Sequence, residues 1–185
     1  MTEEQLINGC IKQDRRSQNE LYKLYFPLMS SIALRYAPER DEALLYVNGG
    51  YYKVLKSLKT YDQKHTLATW IRRILVNHII DEFRKQQKYI ANIELAEHIN
   101  DLNSADYNIG ESHFDVEDLR AMLNTLPVVT SKVFNLFAID GYKHKEIAER
   151  LGISIGTSKW HVNEARKKLK KQLEATAQKE KKVII

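Results

Sequence analysis

The sequence holds one cysteine, three prolines and seven glycines in 185 residues. A single cysteine, Cys10, excludes an internal disulfide and fits a reducing cytoplasm. Its place early in a helical pattern makes it a small apolar filler rather than a redox group. No apolar run has the length of a membrane span, and no signal-peptide pattern opens the chain, so a cytoplasmic location is expected. Alternating Val/Ile/Thr runs are missing, which argues against strands and for an all-α protein. The six histidines are scattered without metal-ligand spacing, and there is no glycine-rich phosphate loop or nucleophile constellation. The expectation is a protein that is not an enzyme, with no catalytic residues, no metal and no cofactor.

Charge is what the sequence does have. Net charge is +5 and the pI is about 9.1, a balance that favours nucleic acid or another anionic surface as partner. Its distribution is uneven. Tyr89 to Asp118 contains eight acids and no Lys or Arg, which leaves +13 on the two flanks. This stretch includes "NDLNSADYNIGES", rich in Asn, Ser, Asp and Gly and weakly periodic, and it has room for a short helix over Ile93 to Ile99. It reads as an acidic tether, plainly solvated in preference to one that shadows a basic groove. Two small helical domains follow, at residues 1–88 and 118–185, joined by a linker at 89–117.

In the second body, Leu119, Met122, Leu123 and Leu126 repeat at helical spacing. Pro127 fits the first turn of the next helix. Val133, Phe134, Leu136 and Phe137 form another apolar face, which Gly141 ends. Then comes "HKEIAERLGISIGTSKWHVNEARKKLKK", residues 144–171. Ile147, Ala148 and Leu151 face inward, Gly152 permits a sharp turn, Ile153 plugs the corner, and Ser154 can cap the second helix. On that helix Ser158, Val162, Ala165 and Leu169 share an inner face. Thr157, Lys159, Trp160, His161, Asn163, Arg166 and Lys167 share the outer one. This is the spacing of a helix-turn-helix, whose second helix lies in the major groove. Lys159, Arg166 and Lys167 suit phosphates; His161 and Asn163 suit base edges. A helical hairpin with a solvated basic face is the plainer alternative. Trp160 is expected to pack on a neighbouring helix.

In the first body, Leu21, Leu24, Tyr25, Leu28, Met29 and Ile32 outline one amphipathic helix. Tyr46, Val47, Tyr51, Val54, Leu55 and Leu58 outline another, with Gly49-Gly50 inside it. Two glycines cost a helix about 2 kcal/mol relative to alanine, so packing holds that helix or it bends there. Next comes "TYDQKHTLATWIRRILVNHIIDEFRKQQK", residues 60–88, where Thr66 can cap a helix over Leu67 to Lys88. Its inner face is Leu67, Trp70, Ile71, Ile74, Leu75, Ile79 and Phe83, with Trp70 in the core. Its outer face carries Arg72, Arg73, Asn77, His78, Arg84, Lys85 and Lys88. A basic helix beside a polar loop with an aromatic suits single-stranded nucleic acid.

Both bodies, in this order, resemble a group IV (extracytoplasmic-function) sigma factor of bacterial RNA polymerase. "LATWIRRILVNHIIDEFRK" is similar to the family's −10-melting segment, and "GYKHKEIAERLGISIGTSKWHVNEARKKL" to its −35-reading helix-turn-helix. The resemblance implies a promoter-specificity subunit that directs RNA polymerase to −35 and −10 elements and promotes melting. It places a flipped base in the loop Asp62, Gln63, Lys64 and His65, with Asn77 near the strand and Arg72, Arg73, Arg84 and Lys85 on the backbone. It places Thr157, Lys159, His161 and Arg166 at the −35 element; Asn163 and Lys167 of the outer face, and Ser158 although it falls on the inner one, complete the expected contact set. The implied partners are promoter DNA, the core polymerase through its β′ clamp helices and β flap, and an anti-sigma factor. Core contact falls to Glu42, Asn48 and Tyr52. The linker would run near the polymerase's RNA-exit path.

The chain departs from the family's pattern in places. Leu45 and Gly49 stand where it commonly has acids, which would weaken clamp binding. Lys143 stands where a capping Ser or Thr is usual. His161 and Glu164 stand at positions that are often basic. The tail "KEKKVII" reads as frayed and basic. Two rival functions remain open: a stand-alone helix-turn-helix regulator of duplex DNA, and a degenerate sigma factor that sequesters a partner.

Overall fold

Thr2 opens the first helix with a reciprocal cap. Its hydroxyl accepts the Gln5 N–H at 3.2 Å, and the Gln5 amide oxygen accepts the Thr2 N–H at 2.9 Å. The computed structural model describes residues 2–37, 39–94 and 121–183, and side chains within 2–37, 39–87 and 121–175. The chain divides into two compact units, Met1–Glu97 and His98–Ile185. No strand occurs among the described residues, so the all-α expectation holds. No helix among them is long and apolar enough to cross a membrane.

The first unit contains α1 (Glu3–Ile11), α2 (Arg15–Ala33), α3 (Arg40–Ser57), a 3-10 turn (Leu58–Thr60) and α4 (Leu67–Glu94). Helix α1 buries Leu6, Ile7 and Cys10. Burial, and then the Asp14 charge, push the Cys10 thiol above its usual pKa, as suits an apolar filler. Asp14 caps α2 by accepting the Ser17 N–H at 2.8 Å and the Ser17 hydroxyl at 2.6 Å. Helix α2 buries Leu21, Met29 and Ile32, but Leu24 is 59% exposed, so its apolar stripe is narrower than the sequence pattern.

Helix α3 runs straight through Gly49-Gly50, and the reason is packing. A Cβ on Gly49 would lie 2.2 Å from Nε2 of His78, and one on Gly50 would lie 2.4 Å from Cδ1 of Leu75. Helices α3 and α4 therefore cross closely at two positions without side chains. The propensity cost is offset by this contact. Helix α4 starts where expected, with the Thr66 hydroxyl accepting the Thr69 N–H at 3.3 Å. It continues past Lys88 to Glu94, into the segment assigned to the linker. The remainder of that segment lies outside the described residues, as does Leu119.

The second unit contains α5 (Val128–Phe134), extended by a π-helical turn (Asn135–Ile139), α6 (His144–Leu151) and α7 (Ile155–Val183). Residues 121–124, before Pro127, are also helical. Met122, Leu123 and Leu126 pack with Ala165 and Leu169 of α7. Pro127 is the N-cap of α5. Gly141 and Gly152 both take left-handed φ, at 75° and 69°. Lys143 offers no acceptor for the first turn of α6. The Glu146 carboxylate instead accepts the Lys143 N–H at 2.8 Å, half of a capping box. Ser154 caps α7, accepting the Thr157 N–H at 2.9 Å. Helix α7 persists through Val183, well into the segment read as a frayed tail.

Two outcomes follow from the α3–α4 crossing. Gly49→Ala gains helix propensity but drives a Cβ into a stiff, buried imidazole, so a net loss of about 1–3 kcal/mol is expected in urea unfolding. His78 is buried, and its pKa is lowered by that burial, then by Lys53, against weaker opposing charges from Glu82 and Asp81. Its folded pKa thus lies below its unfolded value. The stability it permits is complete above the unfolded value of about 6.5 and is lost as pH falls from there through the folded pKa. Hydrogen exchange of α3 and α4 amides should accelerate from pH 7 to pH 5.5 beyond the intrinsic change. His78→Gln should remove that excess.

Candidate nucleic-acid interface

The loop before α4 is ordered by its own contacts. The Tyr61 hydroxyl donates to the His65 carbonyl at 2.7 Å, and the Tyr61 ring lies 5.3 Å from the Trp70 ring. Asp62 accepts the Lys64 N–H at 3.2 Å and pairs with the Lys64 ammonium at 3.2 Å, which holds its carboxyl below the usual range. Gln63 turns the loop with φ 60°. Asp62, Gln63, Lys64 and His65 are all exposed. Trp70 is half-buried against Tyr61, not in the core. Its position on the apolar stripe stops short because Leu67 and Ile71 take the inward sites.

An open cavity of about 790 Å³ lies between this loop and the first turn of α1. That is within the size of small-ligand sites, about 300–1,000 Å³. Gln63, Lys64 and His65 form one wall; Thr2, Glu3 and Glu4 form the other. Glu3 is steadied there by Tyr25, whose hydroxyl donates to its carboxylate at 3.3 Å. Sequence reasoning missed the α1 wall entirely. The Thr2–Gln5 capping pattern was the visible signal that this turn is rigid.

The outer surface of α4 is divided. Arg73, Asn77 and Arg84 recur at spacings of four and seven, so they share one strip. Arg73 and Arg84 are exposed and Asn77 is half-buried. Arg72 is half-buried and about 100° off that strip. Lys85 is exposed about 100° to the other side and pairs with Glu82 at 2.7 Å, which raises its pKa. His78 is a correction: it is buried beneath α3 rather than on the basic face. Its Nδ1 is 3.8 Å from the Glu82 carboxylate, too far to hydrogen-bond. The side chain of Lys88 lies outside the described residues.

On α3, Glu42, Asn48 and Tyr52 line one side of the helix with Leu45. Leu45 is 70% exposed. Asn48 accepts a hydrogen bond from the Tyr22 hydroxyl at 3.0 Å, and Glu42 accepts one from Tyr46. The Lys56 ammonium sits 4.6 Å over the Tyr52 ring.

In the second unit Ser158, Val162, Ala165 and Leu169 are buried, as expected for the inner face of α7. Ser158 is therefore withdrawn as a groove contact. It is fully buried, and its hydroxyl is 3.0 Å from Nδ1 of His144. The His144 ring stacks on Phe137 at 4.3 Å, and the Arg166 guanidinium sits 5.8 Å over the same Phe137 ring. Burial, then the Lys159 and Arg166 charges, lower the His144 pKa. His161 is half-buried, with Nδ1 2.9 Å from the Thr130 hydroxyl, and burial lowers its pKa. Its ring leans on α5 because that polar partner is available there. Thr157, Lys159, Asn163, Arg166 and Lys167 are exposed. Trp160, expected to pack on a neighbouring helix, is 57% exposed among them.

Residues 21–89 match the family model described as Sigma-70 region 2, and residues 117–169 match that of Sigma-70, region 4. RNA polymerase sigma factor SigV of Bacillus subtilis is 31% identical over 143 residues, covering 77% of this chain and 82% of that protein. ECF RNA polymerase sigma factor EcfG of Rhodopseudomonas palustris is 24% identical over 143 residues, 77% of each. Among solved structures, the sigma factor RpoE in complex with the anti-sigma factor NepR from Bartonella quintana is similar in fold. It has a TM-score of 0.53 and 21% identity, covering 84% of this chain and 96% of that one.

Proposed function

The chain belongs to the sigma-70 family, in its extracytoplasmic-function group, and we propose on that footing that its two units divide promoter recognition between separated strands and intact duplex. It is a promoter-specificity factor of transcription initiation. The observation that carries the division of labour is the pairing of an open cavity, roomy enough for an unstacked base, with a basic strip in one unit, and an exposed basic recognition helix in the other.

In the first unit the cavity beside Gln63, Lys64 and His65 receives an unstacked −10 base. Removing a base from the stack costs a few kcal/mol, and contacts in the pocket offset that cost. Arg73 and Arg84 follow the strand backbone along α4, with Asn77 between them. Asp62 shapes the loop through its bonds to Lys64. Arg72 and Lys85 flank the strip and reach the backbone from its two sides. In the second unit Lys159, Arg166 and Lys167 neutralise phosphates of the −35 duplex. Thr157 and Asn163 face base edges, and His161 acts from behind the helix.

Core polymerase binds the α3 face of Glu42, Asn48 and Tyr52. Leu45 gives that face an apolar centre where the family commonly has an acid, so burial replaces part of an electrostatic attachment. Its counterparts are the β′ clamp helices, with the β flap meeting the second unit. An anti-sigma factor competes for these surfaces; the similar fold of RpoE, which is bound to the anti-sigma factor NepR, supports a partner of that class.

Run-off transcription with purified core enzyme on a random promoter library tests the whole scheme. Enrichment of a paired −35 and −10 sequence is the expected result, and an unenriched library would reject it. Asn77→Ala should lower open-complex yield roughly five- to tenfold while leaving core binding intact, as permanganate footprinting and a pull-down would report. Arg166→Glu should weaken −35 duplex binding and reduce the slope of log K against log salt by about one to two, measured by titration in increasing chloride.

A further inference from the structure

Trp160 lies opposite the buried face of α7. At about 100° per residue, Ser158, Val162, Ala165 and Leu169 centre on one side, and Trp160 and Lys167 lie across from them. The indole is thus a central feature of the helix's free surface. Lys167 shares its strip and Lys159, Asn163 and Arg166 lie to one side, all exposed, while the half-buried Glu164, four residues on, lies to the other side and pairs with Lys168 at 3.9 Å.

This exposed indole is nevertheless supported from behind. Its ring meets the His161 ring at 4.9 Å with an interplanar angle of 71°. His161 is held in turn through Nδ1, 2.9 Å from the hydroxyl of buried Thr130 on α5. A side chain that merely tolerated solvent would need no such support, and a Trp so placed loses little freedom on binding.

We propose that Trp160 is a thymine reader, its indole lying against the C5-methyl of one or two thymines in the major groove of the −35 duplex. The inference rests on the duplex-reading role of the second unit. The major groove presents acceptors, donors and a single kind of apolar group, the thymine methyl. Indole offers one N–H and a large hydrocarbon face, so its burial gains most against that methyl. The cations Lys159, Arg166 and Lys167 along one flank of the indole match the phosphates at one edge of a groove, which favours DNA over an apolar protein cleft. His161 is a positioning residue: it touches the indole, not the base.

The test uses the full chain assembled with core polymerase. A −35 sequence is first selected from randomised duplexes. Each thymine is then replaced singly by deoxyuridine, which removes the methyl and nothing else. The parent should lose roughly fourfold in affinity at one or two positions. Trp160→Ala, shown folded by circular dichroism, should bind more weakly and be indifferent to the same replacements. Trp160→Phe should keep part of the discrimination, and His161→Ala should blunt it while preserving preferences at other positions. A parent protein that selects a −35 sequence yet accepts deoxyuridine at every position overturns the proposal while the duplex-reading role stands. A deoxyuridine penalty that persists in Trp160→Ala overturns it equally, and leaves the indole to a protein partner. No selected −35 sequence at all removes the duplex-reading role, and this proposal with it.

Discussion

A positively charged helix that meets a polyanion has to be held from behind, because every side chain on its working face is kept for the ligand. Both long helices of this protein meet that constraint. In α4 the solution is close approach. Gly49 and Gly50 bring the α3 backbone onto His78 and Leu75, while Ile71, Leu75, Ile79 and Phe83 bury the rest of the inner face. In α7 the inner residues are Ser158, Val162, Ala165 and Leu169, mostly small, and a polar contact to His144 replaces part of the apolar packing. The strips left outside are basic because nothing inside needs them.

The second unit adds a set of rings behind its cations. His144 stacks on Phe137 and touches Ser158, and burial, then Lys159 and Arg166, lower its pKa. A charged imidazole there would repel the guanidinium that shares the Phe137 ring. His161 is likewise driven toward its neutral form, by burial, beside Thr130. Both histidines brace α7 through ring and hydroxyl contacts, and both shifts disfavour added charge on its inner side. The positive field therefore stays where phosphates arrive.

What the sequence disclosed is local, and what it hid is tertiary. Thr66, Ser154, Gly141 and Gly152 were legible because a cap or a left-handed turn is decided within four residues. The glycine pair showed that something unusual held α3, but only the partner helix says what. His78 sits at a position that periodicity shares between faces, and the close approach of α3 buries it. Ser158 was legible as an inner-face residue, yet its small polar side chain also suited a groove until His144 claimed it. The cavity was half legible: its loop wall lies beside the basic helix in sequence, while Thr2, Glu3 and Glu4 arrive from some sixty positions away. Trp160 was misplaced because tryptophan is ordinarily buried, and an exposed one is explained by what it meets, not by its own chain.

The split of the α4 cations into a strip and two flanks bears on how tightly unit one holds a strand. Lys85 is committed to Glu82, but both side chains are solvent-accessible, and water screens such a pair. A phosphate can recruit Lys85 at little cost, leaving Glu82 to solvent. Lys53 stands in the same relation to Asp81, at 2.9 Å on the surface. These pairs lower the net field of the free protein and are readily exchanged for phosphate contacts. On the proposed reading Arg73 and Arg84 would set the line a strand follows, and the paired lysines would add grip once it is there. That order fits a factor whose strand contacts are made only as the duplex opens: a surface that held single strands strongly beforehand would compete with the promoter it is meant to melt.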